Sequence, residues 1–168
     1  MLSSTLAACT QHSEGTPQPD PTQQHQPSDA GEPNDPFTDL AACDLLDDIL
    51  DDEDFPPGEK SSAGGKNACQ STKQGFGSVS VNLQAEYQYD EFTYDSDKIF
   101  PGEVNQRRAV QIRDALDAGR SCDVSMEIEP DSRAIVGANM RHGDTDDACG
   151  FVEELAERLE PLLPEGTR

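Results

Sequence analysis

Cys122-Asp123-Val124-Ser125-Met126-Glu127-Ile128, Glu129-Pro130-Asp131-Ser132 and Ala134-Ile135-Val136-Gly137-Ala138-Asn139-Met140 follow one another closely near the end of the chain. The first run alternates polar and apolar side chains, the second is made of turn formers, and the third returns as an apolar strand. After Gly143, Asp144-Thr145-Asp146-Asp147 supplies cap candidates and first-turn acids, and Val152, Leu155, Ala156, Leu159 and Leu163 recur at three- and four-residue spacing. Residues 122–163 therefore predict a hairpin followed by an amphipathic helix, with Cys122 opening the hairpin and Cys149 near the start of the helix.

Just upstream, Arg107-Arg108-Ala109-Val110-Gln111-Ile112-Arg113 fits two templates. Ala109, Ile112 and Leu116 have helical spacing, whereas Val110 and Ile112 have strand spacing. A strand would extend the hairpin into a meander and bury its apolar face, so a strand is expected. Pro101-Gly102 reads as a turn. Residues 87–100 hold all three tyrosines with Phe92 and Phe100 among acids. They are either an aromatic and acidic binding surface or a short helix or loop whose rings complete a core.

Ala68-Cys69-Gln70-Ser71-Thr72-Lys73 and Ser78-Val79-Ser80-Val81-Asn82-Leu83-Gln84-Ala85-Glu86-Tyr87 flank Gln74-Gly75-Phe76-Gly77, a hairpin signal with Val79, Val81, Leu83 and Ala85 facing inward. Residues 59–66 read as a Gly/Ser/Lys loop. Before them, Leu40, Cys43, Leu46, Ile49 and Leu50 mark one helical face and Asp44, Asp47, Asp48, Asp51 and Asp52 the other, with a stop by Pro56-Pro57-Gly58. The acid run lacks the D-x-[DN]-x-[DN]-G calcium loop and reads as a solvated face. Together these elements predict an α+β domain over residues 37–165: an antiparallel sheet of about five strands with an N-terminal and a C-terminal helix, stapled by two disulfides.

The 168 residues contain 34 Asp and Glu against 12 Lys and Arg, a net charge of -22. Such a surface repels phosphate backbones, which argues against nucleic acid as a partner. The excess runs through every segment, as a high-salt habitat or a cation-rich surrounding would favour. Chemistry-bearing patterns are sparse. His12 and His25 lie in a polar tail and His142 in a loop, no G-x-S-x-G surrounds a serine, and Gly64-Gly65-Lys66 is too short for a phosphate loop. Acid pairs are too common to discriminate, though Asp95, Asp97 and Glu103 are the candidates for an acidic hydrolytic cleft. The residues thus point to no cofactor and no catalytic set.

Cys43, Cys69, Cys122 and Cys149 lie in the patterned region without a C-x-x-C pair, which leaves metal binding by that route unsupported. Two bridges among them allow three connectivities and imply an oxidising compartment. Pairing Cys43 with Cys69 and Cys122 with Cys149 would staple each helix to a strand through loops of about 26 to 27 residues, each worth roughly 3 kcal/mol. Cys9 stands apart. Leu6-Ala7-Ala8-Cys9 resembles a bacterial lipobox, the small-residue cleavage site before a cysteine that becomes lipidated. A basic segment and an apolar run of about 7 to 15 residues would precede such a site. Residues 1–5 supply neither, so a start codon farther upstream is expected, the other reading being a free cysteine in a tail. Residues 1–9 then read as a signal remnant and residues 10–36, rich in Gln, Pro, Ser and Asp, as a disordered tether.

The ordered set of motifs resembles the DUF3558 family, actinobacterial lipoproteins built on a domain of unknown function. The resemblance rests on Leu6-Ala7-Ala8-Cys9 and its tether, Asp39-Leu40-Ala41-Ala42-Cys43-Asp44-Leu45-Leu46, which is similar to the family's D-P-C-x-L-L opening, and the strand at Cys69. It continues through Arg107-Arg108-Ala109-Val110, Ser121-Cys122-Asp123-Val124, and Ala148-Cys149-Gly150-Phe151-Val152-Glu153-Glu154-Leu155-Ala156. Ala42 stands where the family usually has proline. The resemblance implies a secreted, membrane-anchored α+β domain with Cys43 near Cys69 and Cys122 near Cys149, a strand at residues 107–113, and no catalytic residues. The expectation is a non-enzymatic envelope lipoprotein, anchored through Cys9 at the extracytoplasmic face of the cell membrane, that binds an envelope protein or small ligand. The competing expectation is a secreted acidic-cleft hydrolase.

Overall fold

The computed structural model describes residues 35–166. In chain order these form α1 (Ala42–Ile49), β1 (Glu59–Lys60), β2 (Asn67–Lys73), β3 (Gly77–Gln84), β4 (Ile99–Val104), β5 (Arg107–Arg113), β6 (Ser121–Glu129), β7 (Ser132–Met140) and α2 (Thr145–Leu159). The strands make one antiparallel sheet in the order β1-β2-β3-β7-β6-β5-β4. Residues 107–113 are a strand, as the meander required.

The sheet has seven strands, not about five. One addition, β1, is two residues long and too short to carry an alternating pattern. The other is β4, which contains the Pro101-Gly102 pair expected to turn the chain. Proline cannot donate to a ladder, but β4 is an edge strand and Pro101 simply lies opposite Val110. The reversal comes at Asn105 and Gln106, with φ of 48° and 75°, between the paired Val104 and Arg107. Two successive positive φ values define the type I′ hairpin turn that suits right-twisted strands. Its usual signature is Asn-Gly; here glutamine occupies the second position and hides the turn. A non-glycine residue in left-handed backbone is strained by roughly 1 kcal/mol or more. Gln106→Gly is therefore expected to raise stability by about 1 kcal/mol in a denaturant titration, and a loss would show that the Gln106 side chain contributes more than its backbone strain removes.

Alternation sets the two faces of the sheet. Val79, Val81, Leu83, Val124, Met126, Ala134, Val136 and Ala138 point to one face and are buried there. Both helices cover it, α1 over β2 and β3, α2 over β6 and β7. The apolar stripe of α2, Val152, Leu155, Ala156 and Leu159, is fully buried, and Leu163 follows it into the core. Asp144 caps α2 in a capping box with Asp147.

On α1 the buried residues are Ala42, Leu45, Leu46 and Ile49, while Leu40 precedes the helix and Cys43 is half-buried. Leu46, Ile49 and Leu50 of the expected face are buried, Leu40 and Cys43 pack half-buried against the same core, and Ala42 and Leu45 join them. The N-cap residue of α1, Ala41, makes no side-chain cap. Asn67 of β2 substitutes: its Oδ1 accepts from the Ala42 N–H at 2.9 Å and its Nδ2 donates to the Leu40 carbonyl at 2.8 Å. The start of α1 is consequently fixed by the sheet rather than by its own sequence. The acids Asp44, Asp47, Asp48, Asp51 and Asp52 are all exposed.

Disulfides join Cys43 to Cys69 and Cys122 to Cys149, each with Cα atoms 5.0 Å apart. One bond ties α1 to β2 and the other ties α2 to β6. Arg158 links the helices, donating to the Ile49 carbonyl at 3.2 Å and pairing with Glu53 at 3.0 Å.

Candidate functional site

The helices cover one face of the sheet, and residues 85–98 cross part of the other. This connection must travel from β3, near the middle, to β4 at the far edge. Its rings, Tyr89, Phe92 and Tyr94, pack with Ile99 of β4 against the outward Val110 and Ile112 of β5 and against Ala115 in a second, smaller core. Of the two expectations for residues 87–100, the aromatics that complete a core are observed for Tyr89, Phe92 and Tyr94.

Arg133 of β7 pins the crossover. Its Nε donates to Gln84 Oε1 at 2.6 Å, and its Nη1 donates to the carbonyls of Gln88 and Glu91 at 2.9 and 2.7 Å. The guanidinium lies 4.3 Å from the Phe92 ring centroid and 5.0 Å from that of Tyr87. Burial lowers the Arg133 pKa, and the Glu91 charge opposes that shift. Arg108 donates to the Tyr89 hydroxyl at 2.7 Å and pairs with Glu127. At the other end, Lys98 donates to the Asp114 carbonyl and pairs with Asp117.

Beside this cover the sheet remains open. Register places Gln70, Ser80, Gly137 and Asp123 in one row across β2, β3, β7 and β6. The adjacent row holds Thr72, Ser78 and Asn139. Residues opposite one another share a face, so these side chains form a polar floor on consecutive strands about 4.8 Å apart. A Cβ at Gly137 would lie 2.1 Å from Asp123 Oδ1, so the carboxyl leans into the space that glycine leaves.

Three groups around this floor stand out. The Asp123 carboxyl has no hydrogen-bond or ion-pair partner among the described residues, and burial pushes its pKa up to about 6 although a part of the side chain reaches solvent. Ser125, two residues along β6 on the same face, is completely buried and its Oγ has no partner. Tyr94 borders the group; burial raises its hydroxyl pKa, and the Asp123 charge raises it further. Near the Gly64 loop, the buried Asn82 Oδ1 is also unpartnered.

A separate groove of about 660 Å³ lies at the opposite end of β5 and β6, walled by Arg107, Arg108, Glu127, Glu129 and Leu163. Arg107 is already engaged there with Glu160 at 2.9 Å and with the Glu127 and Pro164 carbonyls. The groove therefore anchors the C-terminal segment.

A family model described as a protein of unknown function, DUF3558, matches residues 4–162. The chain belongs to the DUF3558 family. No curated protein and no solved structure matches it. In this DUF3558 chain, Asp39 and Leu40 lie in the turn before α1, and Cys43 is joined to β2. Cys9, His12 and His25 lie outside the described residues. His142 is exposed in the loop between β7 and α2. Asp95 and Asp97 sit at the 3-10 turn before β4, Glu103 is on β4, and all three are exposed. Among the described residues no three His, Cys, Asp or Glu side chains are grouped to hold a metal, and no helix is long and apolar enough to cross a membrane.

Sequence reasoning did not single out Asp123. In a chain with 34 acids an aspartate is no signal by itself. The available clue was positional: Asp123 stands on the outward phase of its strand between Ser121 and Ser125, two small hydroxyls.

Proposed function

We propose that this DUF3558 chain is a non-enzymatic binding or accessory module of the cell envelope, lipid-anchored through Cys9 at the outer face of the cytoplasmic membrane. Residues 10–36 act as the spacer, and the open face of the sheet is the working surface. The observation that carries the location is the pair of disulfides, which form and persist in oxidising compartments. The lipobox-like Leu6-Ala7-Ala8-Cys9 ahead of a polar segment supports the anchor.

Binding rather than catalysis is favoured by the make-up of the site. Asp123 is a single unpaired carboxyl facing a glycine and small polar groups, without a second acid or a nucleophile–base pair at hydrogen-bonding distance among the described residues. The test is intact mass and membrane fractionation of the protein expressed from its native locus, upstream codons included. A diacylglyceryl-sized addition at Cys9 with a four-hydrogen deficit in the membrane fraction is expected. A reduced, unlipidated product in the cytoplasm would overturn both anchor and compartment.

A further inference from the structure

We infer that the polar floor formed by Gln70, Ser80, Gly137, Asp123 and Asn139 binds a neutral, hydroxyl-rich ligand, a glycan segment of the envelope. The inference rests on the open face being the binding surface and supplies the class of ligand.

The first argument is charge. The chain carries a net -22, and its helix surface exposes one aspartate after another. The open rows of β2, β3 and β7, by contrast, present Gln70, Thr72, Ser78, Ser80, Gly137 and Asn139, none of them charged. An anion would meet the repulsion of the whole molecule and of Asp123 itself. A cation would be drawn more strongly to the acidic face of α1 than to this stripe. A surface depleted of charge within so charged a molecule is complementary to a ligand that has none.

The second argument is hydrogen-bond inventory. The backbone groups of β3, β7 and β6 are engaged on both sides in ladders, so an extended peptide lying over these central strands would find no free main-chain partners. Recognition falls to side chains. Amides offer donors and acceptors together, serine hydroxyls do the same, and the Asp123 carboxylate offers only acceptors. Vicinal hydroxyls, which both donate and accept, match that set.

The third argument is shape. Gly137 removes a side chain from the centre of the row and leaves Asp123 projecting across the gap. Tyr94, half-buried and stacked on Phe92 with centroids 5.8 Å apart, borders the gap with an aromatic ring. Three strand-to-strand steps from Gln70 to Asp123 span about 14 Å, room for a short oligomer rather than a single ring.

The test uses the full chain with Cys9→Ser, purified from an oxidising compartment with both disulfides formed, and reads amide chemical shifts by NMR. The probes are neutral gluco-, manno-, galacto- and arabino-oligosaccharides of a few units, with spermine and a sulfated oligosaccharide as charged counterparts. A neutral oligosaccharide is expected to shift Ser80, Gly137, Asp123 and Asn139. Ser80→Ala and Asn139→Ala, which leave the fold undisturbed, should each weaken that binding about tenfold. Gly137→Ala should abolish it, and the two alanine variants decide the matter where Gly137→Ala does not fold. Shifts at these residues with spermine or the sulfated probe alone would overturn the ligand class and keep the face as the site. Shifts confined to other surfaces with every probe would overturn both the ligand class and the choice of face.

Discussion

Replacing Cys122 and Cys149 together by alanine should destabilise the domain by about 3.5 kcal/mol. The bond closes a loop of 27 residues, and constraining the unfolded chain over that length accounts for the figure. Both cysteines are buried, Cys122 completely, so the alanines leave a small void rather than a new contact with water. For a domain of this size the midpoint of thermal unfolding should fall by roughly 10–13 °C. Calorimetry of the double variant beside the wild type gives the answer directly. A drop below about 1 kcal/mol would mean that α2 docks on β6 unaided and that the bond is dispensable, which would also remove much of the reason for an oxidising compartment.

Asp123→Asn should act in the opposite direction, with a gain of about 2 kcal/mol at neutral pH. The shift from 3.8 to about 6 corresponds to roughly 3 kcal/mol, reduced here for the solvent that reaches part of the side chain. The sign follows from the charged form being disfavoured in the fold. Above pH 6 the folded protein holds an ionised, unpaired carboxylate in a poorly solvated place and loses stability relative to the unfolded chain. Between pH 6 and 3.8 the folded state takes up the proton first, and the penalty fades. Below 3.8 both states are protonated and it is gone. Thermal unfolding at pH 7.5 and pH 4 should therefore show a gain for Asp123→Asn at the higher pH that shrinks towards nothing at the lower. Equal stability of variant and wild type at pH 7.5 would show the carboxylate to be well solvated. The same substitution should weaken ligand binding, since asparagine exchanges one acceptor oxygen for a donor. A stability gain coupled to a functional loss is the pattern of a residue kept for what it binds.

The sequence was most legible where a single periodicity ruled. Residues 122–140 alternate cleanly, and Asp144 to Asp147 mark the start of α2 with side chains that make the capping box themselves. Residues 107–113 fitted both helix and strand, and the neighbouring strands decided between them. Legibility failed where one part of the chain completes another. Asn67 caps α1 from 25 residues away, so the start of the helix could not be read from residues 40–50. At β4 a proline and a glycine sit in a strand because it is an edge, and position in a sheet is not a local property. Cysteine spacing suggested the two bonds that are present but left other pairings open. The open-face site was illegible for a similar reason: Gln70, Ser80, Gly137 and Asp123 come from four strands, and only the insertion of β7 beside β3 sets them in one row.

That insertion also imposes an order of events. β7 is the last strand made, yet it occupies the centre of the sheet between β3 and β6. Until residue 140 is available, the first three strands end in an unpaired β3, and β4, β5 and β6 have no strand to join them to it. The Cys43–Cys69 bond, local to the first half, can close while the rest of the chain is still arriving. The Cys122–Cys149 bond comes only with the final helix. Folding of this domain is thus a late, long-range step, and during the interval an unpaired strand edge and an apolar sheet face are exposed. The same acidic surface that keeps the finished protein soluble also keeps half-made chains apart from one another while they wait for their last strand.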